Sequence, residues 1–158
     1  MPDRLIIFLV SMSPFLELRG SIPLGLAKGL SLKEVFFISI IANIIIIIPL
    51  LLFFKFLIRI CEKLKFLNKL LFWWFTKIEK KYYLVEKYGF FGLLLFVVIP
   101  LPGSGAWSGC LAACLFKVRF FRAFVAIALG VIGAGVLVSI GSLGVFKFYS
   151  FLKDLLFF

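Results

Sequence analysis

The chain has 158 residues, 64% of them hydrophobic, and a formal net charge of +11. A mean hydropathy of +1.21, with apolar runs of membrane-crossing length, excludes an ordinary soluble domain and identifies a single integral membrane unit. The basic excess would point to nucleic acid in a soluble protein, but here the lysines crowd beside apolar runs and read as signals for anionic membrane lipids and the cytoplasmic side, with no nucleic-acid partner.

Leu5 to Leu16 is apolar but only about a dozen residues long, short of the roughly 20 that a crossing helix needs. Arg4 before it gives a loose likeness to a signal peptide, and Pro14 argues against cleavage there. Glu17-Leu18-Arg19-Gly20-Ser21-Ile22-Pro23-Leu24-Gly25 follows and places two charges at bilayer depth. A charge there costs about 3 kcal/mol on insertion scales, so such residues face a protein interior or a wet cavity. Glu17 and Arg19 are thereby the first functional candidates. Pro14, Gly20, Pro23 and Gly25 disfavour a continuous helix, and Leu24 to Leu30 is another short piece. The expectation is a re-entrant hairpin over 5–30 with an unwound tip around Glu17–Gly25. Glu17 and Arg19, two positions apart, can pair only if that tip is unwound.

Ser31 and Glu34 form a capping-box signature that opens a full span over 35–54. Asn43 is its one strongly polar side chain, suited to an interhelical hydrogen bond or to substrate contact, and Pro49 predicts a kink. Over 55–88 the character changes. Leu57, Ile60, Leu64, Leu67 and Leu71 recur at a period near 3.5 among lysines and arginines, while Trp73, Trp74, Tyr82, Tyr83 and Tyr88 suit the headgroup level. This stretch reads as a basic amphipathic helical connector lying on the cytoplasmic leaflet.

Phe90 to Ile99 is again too short to cross, and it meets Pro100-Leu101-Pro102-Gly103-Ser104-Gly105-Ala106-Trp107-Ser108-Gly109, whose prolines and glycines oppose regular helix. Cys110 to Phe116 returns, so a second hairpin covers 90–116. Its tip, with Pro100, Pro102, Gly103, Ser104 and Gly105, could present backbone amides to an anion, although loop formation needs those glycines equally. Trp107 either lines a pathway or plugs the hairpin. Lys117, Arg119 and Arg122 make a basic corner before the second span, 123–146, where Ala126, Gly130 and Ala134 on one face and Gly135 with Ser139 on another suit close helix packing. Residues 147–158 form a tail.

There is no histidine, and Cys61, Cys110 and Cys114 give an odd count without a paired framework. Most metal and triad chemistry falls away, so no metal, cofactor or enzymatic reaction is expected. Cys110 and Cys114 read as small buried hydrophobes.

The halves 1–54 and 89–146 share one plan of short helix, broken tip, short helix, basic residue and full span, with Gly-Ser at Gly20-Ser21 and again at Gly103-Ser104. The fold class expected is an all-α integral membrane protein with two full transmembrane helices plus two re-entrant helical hairpins as an inverted repeat, joined by the connector. Broken helices meeting at the midplane are a transporter plan. A plain four-helix topology competes, and the distribution of basic residues does not separate the two; four spans would drive Glu17, Arg19 and four of the six prolines through helix interiors. In the transporter reading Glu17 is a proton-coupling carboxylate, because desolvation disfavours its charged form, and Arg19 anchors an anionic group such as phosphate. The alternative is an ion pair that only holds the hairpin. A homodimer or higher homo-oligomer is expected, since this unit alone covers little of its tips.

Glu17–Gly25 and Pro100–Gly109 resemble the paired signatures of the bacterial and archaeal small multidrug export protein family, and more distantly the DedA superfamily. The resemblance implies a multi-pass protein of the cell (inner) membrane engaged in proton-linked transport. Within it Glu17 is similar to the superfamily's acidic residue, Pro102 and Gly103 to its second tip, and Arg122 to its corner arginine. The substrate it implies is an amphiphile, polyprenyl-phosphate-like in some members. Here Ser104, Gly105 and Ala106 stand where DedA proteins carry arginines. A multidrug exporter of cationic or neutral amphiphiles and a non-transporting scaffold or envelope-maintenance protein are the alternatives.

Overall fold

The computed structural model describes residues 2–63, 87–99 and 104–156. These form six helices and no strand: α1 (Pro2–Met12), α2 (Glu17–Ala27), α3 (Leu32–Lys63), α4 (Phe90–Val98), α5 (Ala106–Leu115) and α6 (Phe120–Leu156). Among the described residues, Leu32–Ile60 and Phe120–Val145 are the stretches long and apolar enough to cross a membrane.

The first two helices fold back on each other. Lys28 donates to Asp3 at 2.6 Å and Arg4 pairs with Glu34 at 2.7 Å, so the start of α1, the end of α2 and the start of α3 share one end of the molecule. The Ser31 and Glu34 signal is realised in half: the Glu34 amide donates to Ser31 Oγ at 3.3 Å, while the Glu34 carboxylate takes Arg4 instead of reaching back. α2 and α3 run antiparallel, with Ser21 Oγ 2.7 Å from Ser39 Oγ and Gly25 against the Val35 side chain. Carried one turn further toward the bend, that register sets Glu17 level with Asn43.

α5 lies along the second half of α3. The thiols of Cys110 and Cys114 point at the carbonyls of Ile47 and Leu51, at 3.8 and 3.5 Å, four residues apart on both helices. α6 then runs back along α3, bringing Gly135 to Phe36 and Ile40, and α4 fits beside it with Val97 against Gly130 and Val98 against Gly133. The open end of this second helical pair therefore lies where α3 finishes. Ala126, Gly130 and Ala134 are buried, as close packing of small residues requires. Phe37, Phe56, Phe121, Ile140 and Val145 point outward, an apolar exterior suited to lipid.

Two expectations need correction. The first backbone interruption is at Ser13–Leu16, not Glu17–Gly25; Glu17–Ala27 is helix, with Gly20 and Ser21 inside it and Pro23 in its interior. A proline there removes one backbone hydrogen bond, a cost that packing of α2 between α1 and α3 offsets. Neither does α3 stop at residue 54. It continues through Lys55 and Arg59 to Lys63, because long basic side chains lay their stems along apolar surface and keep the charge in a polar layer. Of the expected connector, residues 64–86 lie outside the described residues. α6 likewise runs on to Leu156 through most of the expected tail.

Candidate functional site

Every broken helix leaves unpaired groups at its ends: N–H groups with partial positive charge at the start, C=O groups with partial negative charge at the finish. The break between α4 and α5 creates one end of each kind, and two side chains from α2 meet them. Glu17 Oε2 accepts from the Ala106 amide at 3.2 Å, and Oε1 from the Trp107 amide at 3.1 Å, so the carboxylate sits on the first turn of α5. Arg19 Nη2 donates to the Ile99 carbonyl that closes α4, at 3.3 Å, to the Ser104 carbonyl, and to Ser104 Oγ at 3.1 Å. Acid meets the positive end and base the negative end.

Local backbone makes this reach possible. Glu17 has φ +46, a left-handed conformation that non-glycine residues seldom adopt, at the point where the bend enters α2. Gly105 is the other enabling residue, since a Cβ there would overlap the Glu17 carboxylate. Its amide donates to Ser108 Oγ at 2.8 Å, which caps α5 from within. Ser104 Oγ donates to the Ile99 carbonyl at 2.7 Å, so Arg19 and Ser104 share that acceptor. Trp107 joins the two breaks a second time: its indole N–H donates to the Met12 carbonyl, the last of α1, at 3.1 Å.

Glu17 is only 7% exposed, and a polar track leaves it through the core. Ser21, one turn along α2, contacts Ser39, whose carbonyl accepts from Asn43 Nδ2 at 2.9 Å. Asn43 is fully buried, and its Oδ1 has no hydrogen-bond partner. That orphaned acceptor lies on α3 at the level of Glu17.

The structure thus gathers Glu17, Arg19, Ser104, Gly105 and Trp107 at one junction, with Ser21 and Asn43 on the track beside it. Gly20 and Pro23 are half-buried backbone positions of α2, and Gly20 is held against Leu16. Arg122 is exposed in the first turn of α6 and takes no part in the junction. Pro100, Pro102 and Gly103 lie outside the described residues. The hydrogen bonds of Glu17 and Arg19 just given run to the second half of the chain, not to each other, as an unwound tip would have had them. Ser39, Ser108 and the carbonyls of Met12 and Ile99 were not anticipated. Ser39 alone had a sequence signal, its place four residues before Asn43 on one face of an apolar helix. Among the described residues no group of His, Cys, Asp and Glu side chains could hold a metal ion.

A family model described as "Putative small multi-drug export protein" matches residues 17–137, from the buried acid into the last third of the second span. No curated protein and no solved structure matches the chain.

Proposed function

Because the chain belongs to the small multi-drug export protein family, we propose that it is a proton-coupled transporter of amphiphiles in which Glu17 takes up and releases the proton. The observation that carries the reading is a carboxylate buried where two interrupted helical pairs meet, held by the backbone amides of Ala106 and Trp107. Buried ionisable groups at such breaks line transport paths in membrane proteins. In the charged state Glu17 accepts from Ala106 and Trp107. Once protonated it needs an acceptor, and Asn43 Oδ1 is the unpartnered one at its level. Protonation would draw Glu17 off the start of α5, loosen the junction, and so open it to one side.

In this reading both helical pairs are re-entrant, the two halves form an inverted repeat, and the basic connector marks the cytoplasmic face of the cell membrane. Arg19 is the group for an anionic substrate head, polyprenyl-phosphate-like in character; a cationic or neutral drug-like amphiphile is the competing cargo. Backbone interrupted at bilayer depth needs protein or water to cover it, and Phe15 in the first interruption is 94% exposed, which favours a homodimer covering that bend. The reading includes no enzymatic step.

The test is transport by the purified chain in proteoliposomes under an imposed pH gradient, with a fluorescent polyprenyl phosphate and a cationic dye as separate probes. Glu17→Gln keeps an acceptor for one α5 amide but cannot carry a proton. Gradient-driven transport should be lost while the protein stays folded. Unchanged transport by Glu17→Gln would overturn proton coupling through this residue, and absence of transport of any probe by the unaltered chain would favour a scaffold, since every contact given for Glu17 and Arg19 also serves to pin helix ends.

A further inference from the structure

Away from the junction, where α3 leaves the apolar layer, a cavity of about 410 Å³ opens between α3, the end of α5 and the start of α6. Four cationic side chains line it, Lys55, Arg59, Lys117 and Arg119, over an apolar wall that includes Leu51 and Val118, and among the described residues none that lines it is acidic. Cations gathered round one cavity raise a positive potential inside it that attracts an anion. The first turn of α6 also contributes, because Phe120 lies on the wall and the start of that long helix adds partial positive charge. Lys117 is held there with φ +52, at the turn between α5 and α6.

Height decides the kind of anion. From Val35, where apolar sequence begins, to Lys55 is a helix rise of about 30 Å, the thickness of a hydrocarbon core. The cations therefore stand at the level of lipid phosphates, and the apolar wall beneath them is where acyl chains run. The geometry points to a binding site for the phosphate headgroup of an anionic membrane lipid, seated between Lys55, Arg59, Lys117 and Arg119. Its place along α3 is about 18 Å from the level of Asn43 and Glu17, so it is separate from the proposed transport path. Such a lipid would clamp the end of the second helical pair to the first span.

Native mass spectrometry of the full chain in detergent, titrated with phosphatidylglycerol, phosphatidylcholine or inorganic phosphate, tests this. One saturable phosphatidylglycerol should be retained in preference to phosphatidylcholine. The double variants Lys117→Gln with Arg119→Gln, and Lys55→Gln with Arg59→Gln, should each weaken it about 25-fold, from about fivefold per removed charge. Lys33→Gln, an exposed cation at the other end of α3, should leave it unchanged. Equal retention of both lipids, or equal weakening by Lys33→Gln, would overturn the site. Binding of inorganic phosphate as tight as that of the lipid would overturn the lipid assignment. Because the readout is a bound lipid, failure here is distinct from failure of proton coupling at Glu17.

Discussion

The Glu17 carboxylate of the first helical pair accepts the Trp107 backbone N–H of the second at 3.1 Å, a contact across 90 residues of sequence. A side chain thus does for α5 what a neighbouring cap residue does in most helices. The same residue is offered above as the proton carrier, so its structural weight and its transport role must be measured separately.

Glu17→Ala strands the amides of Ala106 and Trp107, and a buried unpaired N–H costs roughly 1–3 kcal/mol. The expected loss for the two amides is about 2–6 kcal/mol of stability, read as a lower midpoint in thermal unfolding of the detergent-solubilised chain. Glu17→Gln, with one acceptor oxygen left, should lose about half of that. Equal midpoints for all three proteins would show that the cap is not formed.

Gly105→Ala places a methyl group in the space of the Glu17 carboxylate. Overpacking of this kind costs about 1–3 kcal/mol. The two changes should not add: Gly105→Ala already displaces Glu17, so introducing Glu17→Ala into that background costs less than in the unaltered chain. A double-mutant cycle on unfolding midpoints measures this coupling, expected at about 1–2 kcal/mol for groups in contact.

Gly130 and Gly141 both lie on α6 and should behave oppositely. A Cβ at Gly130 would come within 2.7 Å of Val97 Cβ and 3.1 Å of the Leu94 carbonyl, whereas nothing stands within 4 Å of one at Gly141. Gly130→Ala should push α4 off α6 and destabilise by about 1–3 kcal/mol. Gly141→Ala should stabilise by up to about 1 kcal/mol through helix propensity. Unfolding midpoints of the two variants check the sign of each.

At the open end of the first pair, the hydrogen bond and charge of Lys28 hold the Asp3 carboxyl below its ordinary range. A carboxyl depressed in the folded state contributes stability that is present above its unfolded value, about 3.9, and is lost as pH falls through the folded value. Tethering of α1 to α2 should therefore weaken only below about pH 4. Asp3→Asn should remove that dependence, as read by amide exchange of α1 across pH; an unchanged profile would exclude the pair as its source.

Much of this was legible in the residues because hydrocarbon imposes length and polarity on helices so strictly. The two spans, the shortness of the apolar pieces beside them and the standing of Glu17 and Arg19 all follow from element length and the cost of charge in lipid. Pro23 misled, since local helix-breaking cost is outweighed when a helix is packed between two others. Arg122 stood out as an arginine at a corner, yet nothing in one dimension says which way a corner side chain points.

By itself, then, the sequence determined a membrane protein of interrupted and continuous apolar segments with an acid and a base set between two short apolar runs, because those are properties of composition along a line. Only the tertiary structure decided that the acid seats on one broken helix end and the base on the other. Partners 80 to 90 positions apart are chosen by packing, and unpaired N–H and C=O groups at a helix break attract opposite charges wherever the fold brings them close.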